Sequence, residues 1–168
     1  LMVEATFVAC LILLGTLLIF AIGGPMKDVS KEDIFTTSPL ITLIWVSAAS
    51  IPFIWIIAQS PMKGQVVGAT AAGGVAVGIL ARKFLPSVQP IVLFALPVAF
   101  ASIGYFIGMQ LSPLTDTTFM QQSLSGLLYP MPLEYAAGSL MGIPIGLSWG
   151  TSLAKKIGPE TWLSMPKV

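Results

Sequence analysis

The chain has 168 residues, of which 55% are hydrophobic and only 9% are charged, against about 25% charged residues in a typical soluble domain. A soluble protein of this composition would lack the polar residues needed to cover its core, so we predict a single membrane-embedded domain over residues 1–168. The net charge of +1 excludes no class of partner, but the placement of the charges is informative.

The first apolar stretch predicts a transmembrane helix over about residues 3–23. About 20 apolar residues are enough for a helix to cross the hydrocarbon core of a bilayer. A secretory signal peptide begins with basic residues and ends in a small-residue cleavage site. Only Glu4 precedes this apolar run. We therefore expect the stretch to be a retained span.

Four further apolar segments are long enough to span, over about residues 40–60, 65–82, 89–110 and 133–154. The uncharged segment 117–133 is too short and too polar to span. Its apolar residues, from Phe119 to Leu128, recur at helical spacing and predict a short amphipathic helix at the membrane surface or against the bundle. The expected fold is all-α: a polytopic membrane bundle of five transmembrane helices with one short surface helix.

The basic residues favour five spans over six, because cytoplasmic loops are enriched in lysine and arginine. With five spans, Lys63 stands alone on one side. The other side receives Lys27, Lys31, Arg82, Lys83, Lys155, Lys156 and Lys167. A sixth span over 117–133 would move the last three across and remove the bias. The sequence thus predicts an N-terminus outside the membrane, taken to be the cell membrane, and a cytoplasmic C-terminus.

Glycines recur at every fourth position in two of the predicted spans. In lipid, helices associate through close backbone approach and van der Waals contact, which small residues permit. We predict helix-packing interfaces that serve either as ordinary packing faces or as a surface joining copies of the chain, or a partner subunit, around a pore. They comprise Gly138, Gly142, Gly146 and Gly150 in the last span, and Gly64, Gly68, Gly74 and Gly78 on two faces of the third.

Three spans contain an internal proline: Pro52, Pro97 and Pro144. Each proline removes one backbone hydrogen bond, so we predict a kink in each helix. Static kinks that shape the bundle are the simpler interpretation. The alternative is that the freed carbonyls bind an ion or a substrate.

The sequence contains few groups able to perform chemistry. No charged residue lies at mid-membrane depth, which argues against a proton pump. Glu4 and Glu134 stand near the outer ends of their helices, as solvated boundary residues or, alternatively, as a functional pair. Histidine is absent and Cys10 is the only cysteine. We therefore predict no enzyme, no metal site, no cofactor and no nucleic-acid partner.

These observations favour a non-catalytic integral membrane subunit that packs within a larger transport or energy-converting complex. Its expected partners are membrane lipid and other membrane subunits or copies of itself. The alternative is a small transporter or substrate-binding membrane component that encloses a site with kinked helices. The polar residues available for such a site are Thr16, Ser47, Ser50, Thr70, Ser102, Tyr105 and Ser148.

Overall fold

The computed structural model describes residues 1–23, 37–85, 91–111 and 125–163 of the chain. Across these ranges every regular element is helical and no strand occurs. The α-helices are α1 (Met2–Gly23), α2 (Thr37–Ala48), α3 (Ser50–Ile57), α4 (Lys63–Phe84), α5 (Leu96–Leu111) and α6 (Pro132–Leu163), with 3₁₀ turns at Val92–Phe94 and Gly126–Leu128.

Within the described ranges, three helical stretches are long and apolar enough to cross a membrane: α1, α4 and Val92–Leu111. Helices α2 and α3 together give a shorter apolar stretch, Ile41–Ile57. Helix α6 has 32 residues and extends to Leu163, beyond the predicted end of the last span at 154. The all-helical class is confirmed for the described residues, the length and composition of these helices are compatible with a membrane location, and the count of five spans stays a prediction. Residues 117–124 of the predicted surface helix lie outside the described residues, and the described remainder forms the 3₁₀ turn Gly126–Leu128 before α6 begins at Pro132.

The second predicted span is divided into two helices at Ala49. Pro52, the third residue of α3, has no N–H to donate to the carbonyl of Ala48, the last residue of α2. The Ala49 N–H instead donates to the Val46 carbonyl at 3.2 Å, only three residues back. The division is a single residue, Ala49, whose backbone stays in the right-handed helical region with φ of −61° and ψ of −20°.

Pro97 occupies a comparable position as the second residue of α5. It has no N–H to offer the Leu93 carbonyl, and the residues before it form the 3₁₀ turn. Pro144 differs, because α6 runs unbroken through it. Two of the three predicted kink positions thus lie in the first turn of a helix, and the third lies within one.

The turn between α3 and α4 is closed by two glutamine side chains. Gln59 Nε2 donates to the carbonyls of Trp55 and Ile56 at 3.0 and 2.8 Å. Gln65 Nε2 donates to the Ile57 carbonyl at 2.8 Å. The last carbonyls of a helix lack intrahelical partners, so these amides let α3 end inside the bundle and allow α4 to return alongside it.

Helix α4 is the centre of the fold, with α6 along one face and α3 along another. Helix α1 packs mainly on α5 and buries only Ala5 and Ala9. Two hydrophobic clusters fill the interior. One surrounds Tyr105 and Tyr135, and the other lies between α2, α4 and α6 around Leu93 and Ile143.

Candidate functional site

The four glycines of α6 form one row along α4. A Cβ built on Gly138 would meet the Thr70 side chain, and one built on Gly142 would meet the Ala71 carbonyl oxygen. Further along, a Cβ on Gly146 would meet the Val75 carbonyl, and one on Gly150 would lie 2.7 Å from Arg82 Cβ. Each position therefore lacks room for any side chain.

Two glycines of α4 complete this contact from the opposite side. A Cβ built on Gly78 would lie 2.5 Å from the Ile143 carbonyl oxygen and 2.8 Å from Gly146 Cα. One built on Gly74 would lie 3.2 Å from Gly142 Cα. The structure thus brings six of the eight predicted glycines together in one contact, here called the glycine seam: Gly74, Gly78, Gly138, Gly142, Gly146 and Gly150.

The remaining predicted pair, Gly64 and Gly68, lies elsewhere on α4. Both glycines are exposed, and no atom of the described residues lies within 4 Å of a Cβ built on either. We call this surface the open face of α4. Helices α3 and α6 cover other sides of α4, so this helix has small residues both within the packing of the described residues and on a face that those residues leave uncovered.

A polar cluster links the first turns of α4 and α6. Lys63 Nζ lies 2.5 Å from Glu134 Oε1. Glu134 Oε2 accepts the Met131 N–H at 2.8 Å, so this side chain also caps its own helix. Deeper in the bundle, Thr70 Oγ1 donates to the Glu134 carbonyl at 3.0 Å. The ends of the two helices are therefore held in register by side chains.

A buried tyrosine pair lies between α5 and α6. Tyr105 OH donates to the Pro130 carbonyl at 2.6 Å. Its ring meets that of Tyr135 edge to face, with centroids 5.8 Å apart and an interplanar angle of 88°. The Tyr135 hydroxyl has no hydrogen-bond partner among the described residues. It faces Gly104, where an added Cβ would lie 3.5 Å from the hydroxyl oxygen.

The two glutamates singled out in the sequence line a common cleft of about 530 Å³ between α1 and the start of α6. Apolar side chains form most of its wall: Phe7, Val8, Met131, Pro132 and Leu133. The Glu4 side chain is 69% exposed and lies 3.5 Å from the α-amino nitrogen of Leu1. The Glu134 side chain is only 13% exposed. Glu4 and Glu134 therefore line the same cleft.

Sequence reasoning missed the side chains that join helix ends. Pairs such as Lys63 and Glu134 are 71 positions apart, and helical periodicity carries no information about such contacts. One helix start is marked in the sequence. Pro132 stands at the first helical position and Glu134 at the third, which is the pattern of a helix N-terminus with a capping glutamate. Among the described residues, no group of three or more histidine, cysteine, aspartate or glutamate side chains is placed to hold a metal ion.

Comparison with protein-family models, curated proteins and solved structures finds no match to this chain.

Proposed function

We propose that the chain is a non-catalytic integral membrane subunit that packs within a larger transport or energy-converting complex. In this proposal it crosses the cell membrane five times, with its N-terminus outside and its C-terminus in the cytoplasm. Its partners are membrane lipid and other membrane subunits or copies of the chain.

The observation that carries this proposal is the open face of α4. Gly64 and Gly68 repeat the four-residue spacing of the glycine seam, yet no described part of the chain covers them. Exposed glycines bring no hydrophobic gain against lipid, whereas they permit another helix to approach the backbone closely. A second membrane helix, from another subunit or from a copy of the chain, is the partner that this surface fits.

The glycine seam supports the same proposal in a different way. It brings the backbones of α4 and α6 together within the chain, so that the bundle presents a preformed surface to a partner. Surfaces that are preorganised lose less conformational entropy on association. Glycine-rich packing thus has two roles in this proposal, one inside the chain and one at the open face.

Substituting leucine for Gly68 is expected to weaken assembly roughly tenfold and to leave the chain folded, since overpacking a close contact costs about 1–3 kcal/mol. The measurement is gentle detergent extraction from native membranes, followed by mass determination of the complex and identification of co-purifying proteins. Gly15→Leu on α1 is the matched control, because a Cβ at Gly15 also meets nothing within 4 Å. A wild-type chain that extracts as a monodisperse monomer and binds a small molecule would instead support the transporter alternative.

The topology is tested by single cysteines in a Cys10→Ala background. Lys63 and Lys83 stand near opposite ends of the 22-residue α4, which at about 33 Å is long enough to cross the roughly 30 Å hydrocarbon core. We expect Lys63→Cys to react with an impermeant maleimide from outside, and Lys83→Cys and Lys167→Cys from the cytoplasm. The proposal places two spans between Lys83 and Lys167. Labelling of Lys167→Cys from the same side as Lys63→Cys would require an odd number of spans there and would contradict the five-span topology.

A further inference from the structure

The cleft between α1 and α6 combines apolar walls with two glutamates, one of which pairs with a lysine. Glu4 and Glu134 line it, and Lys63 lies beside Glu134 with a side chain that is 66% exposed. Ligand pockets in proteins commonly enclose about 300–1,000 Å³ and pair apolar walls with a few polar groups. At about 530 Å³ the cleft falls within this range.

We infer that this cleft binds a zwitterionic phospholipid with a primary-amine headgroup, of the phosphatidylethanolamine type. The inference requires the chain to lie in a membrane, but it is independent of any partner subunit. The headgroup ammonium lies between the two glutamates, the phosphate faces Lys63, and an acyl chain covers the apolar wall.

The hydrogen-bonding capacity of the glutamates favours an ammonium donor. An ionised carboxylate offers about four lone-pair sites. Glu134 uses one site on each oxygen, for Lys63 and for the Met131 N–H. Among the described residues, the Glu4 carboxylate has the Leu1 nitrogen as its ion-pair partner at 3.5 Å, and both groups are exposed. Acceptor sites therefore remain on both glutamates, and a primary ammonium brings three donors to them.

The position of Lys63 distinguishes a zwitterion from a simple cation. Glu4 and Glu134 line the cleft with two carboxylates, and Lys63, which pairs with Glu134 and is 66% exposed, supplies a cation for the phosphate beside them. A quaternary choline headgroup has no N–H to donate to the carboxylates. An anionic headgroup without an amine could place its phosphate at Lys63 but would bring no cation to the two glutamates.

The surface of α1 continues the cleft in the direction an acyl chain would follow. Phe7 lines the cleft and is 63% exposed, and Leu11 and Leu14 follow along the helix at 52% and 57% exposure. These residues recur at three- and four-residue spacing and share one side of the helix. A lipid anchored at the glutamates would therefore lie along an apolar track.

The test is native mass spectrometry of the full chain, equilibrated in mixed micelles with equal amounts of phosphatidylethanolamine, phosphatidylcholine and phosphatidylglycerol of matched acyl chains. We expect the wild-type chain to retain phosphatidylethanolamine over phosphatidylcholine by roughly tenfold, the discrimination typical of a charge-assisted hydrogen bond. The double variant Glu4→Gln, Glu134→Gln should bring the ratio close to one. Glutamine keeps the size of the side chain and removes the charge.

The control is Glu160→Gln, which removes a carboxylate near the other end of α6, about 39 Å away along the helix. It should keep the wild-type preference. If the double variant aggregates, Glu4→Gln alone decides, since this exposed side chain makes no contact that the fold needs, and the ratio should still fall several-fold. Equal retention of the three lipids, a preference for phosphatidylglycerol, or an unchanged preference in the glutamate variants would overturn the inference.

Discussion

Gly142→Leu is expected to separate α4 from α6 and to give the least stable chain of any single change considered. A Cβ at this position would meet the Ala71 carbonyl oxygen and lie 2.9 Å from the Val75 nitrogen. Both are backbone atoms of α4, which cannot rotate away as a flexible side chain would. Overpacking typically costs about 1–3 kcal/mol and occasionally more, and a leucine placed between two backbones belongs at the upper end.

A thermal-stability measurement tests this expectation. The detergent-solubilised variants are heated, and the fraction that remains monodisperse is measured by size-exclusion chromatography. A loss of about 3 kcal/mol corresponds to a fall in Tm of roughly 10 °C for a chain of this size. Gly68→Leu introduces the same side chain on the open face of α4 and should leave Tm nearly unchanged. If Gly142→Leu kept the wild-type Tm while Gly68→Leu lost it, the assignment of the seam and the open face would be reversed.

This pair of glycines also shows how far the sequence predicts the packing. The four-residue spacing marks flat faces on α4, and it does so equally for the face of Gly64 and Gly68 and for that of Gly74 and Gly78. The structure covers the second face with α6 and leaves the first uncovered by described residues. The glycine spacing is the same on both faces. It therefore cannot specify which helix packs against each face, or whether that helix belongs to the same chain.

The prolines show a similar limit. Each removes one backbone hydrogen bond, which the sequence predicts correctly as a local property. At Pro52 the chain breaks into two helices, whereas α6 continues through Pro144. Gly142 and Gly146, on either side of Pro144, both lie against α4. The seam holds both halves of α6 on one neighbour, α4.

Polar contacts between helices were the least predictable part of the candidate site. The sequence marked Glu4 and Glu134 as boundary residues at helix ends, and their joint cleft depends on how α1 and α6 meet. Thr70 and Tyr105 were visible only as polar residues in apolar spans. Their acceptors are main-chain carbonyls of Glu134 and Pro130, and a carbonyl carries no residue-specific signal in a sequence.

Removing the hydroxyl group from each of the two buried tyrosines should change the stability of the chain in opposite directions. Tyr105→Phe removes the donor that satisfies the buried Pro130 carbonyl. Leaving a buried acceptor without its partner costs about 1–3 kcal/mol, so we expect a clear loss of stability. Tyr135→Phe removes a hydroxyl that has no hydrogen-bond partner among the described residues. That change should be neutral or stabilising by about 1 kcal/mol, because burial of an unpaired hydroxyl is itself unfavourable.

The comparison isolates hydrogen bonding from packing, since both rings are buried and both variants keep the edge-to-face contact. Thermal unfolding in one detergent should place Tyr105→Phe below the wild-type chain by roughly 3–10 °C and Tyr135→Phe at or above it. The double variant should resemble Tyr105→Phe alone if only one hydroxyl is stabilising. Equal losses for the two single variants would mean that Tyr135 also has a partner, and the hydroxyl facing Gly104 would then mark an ordered polar group between α5 and α6.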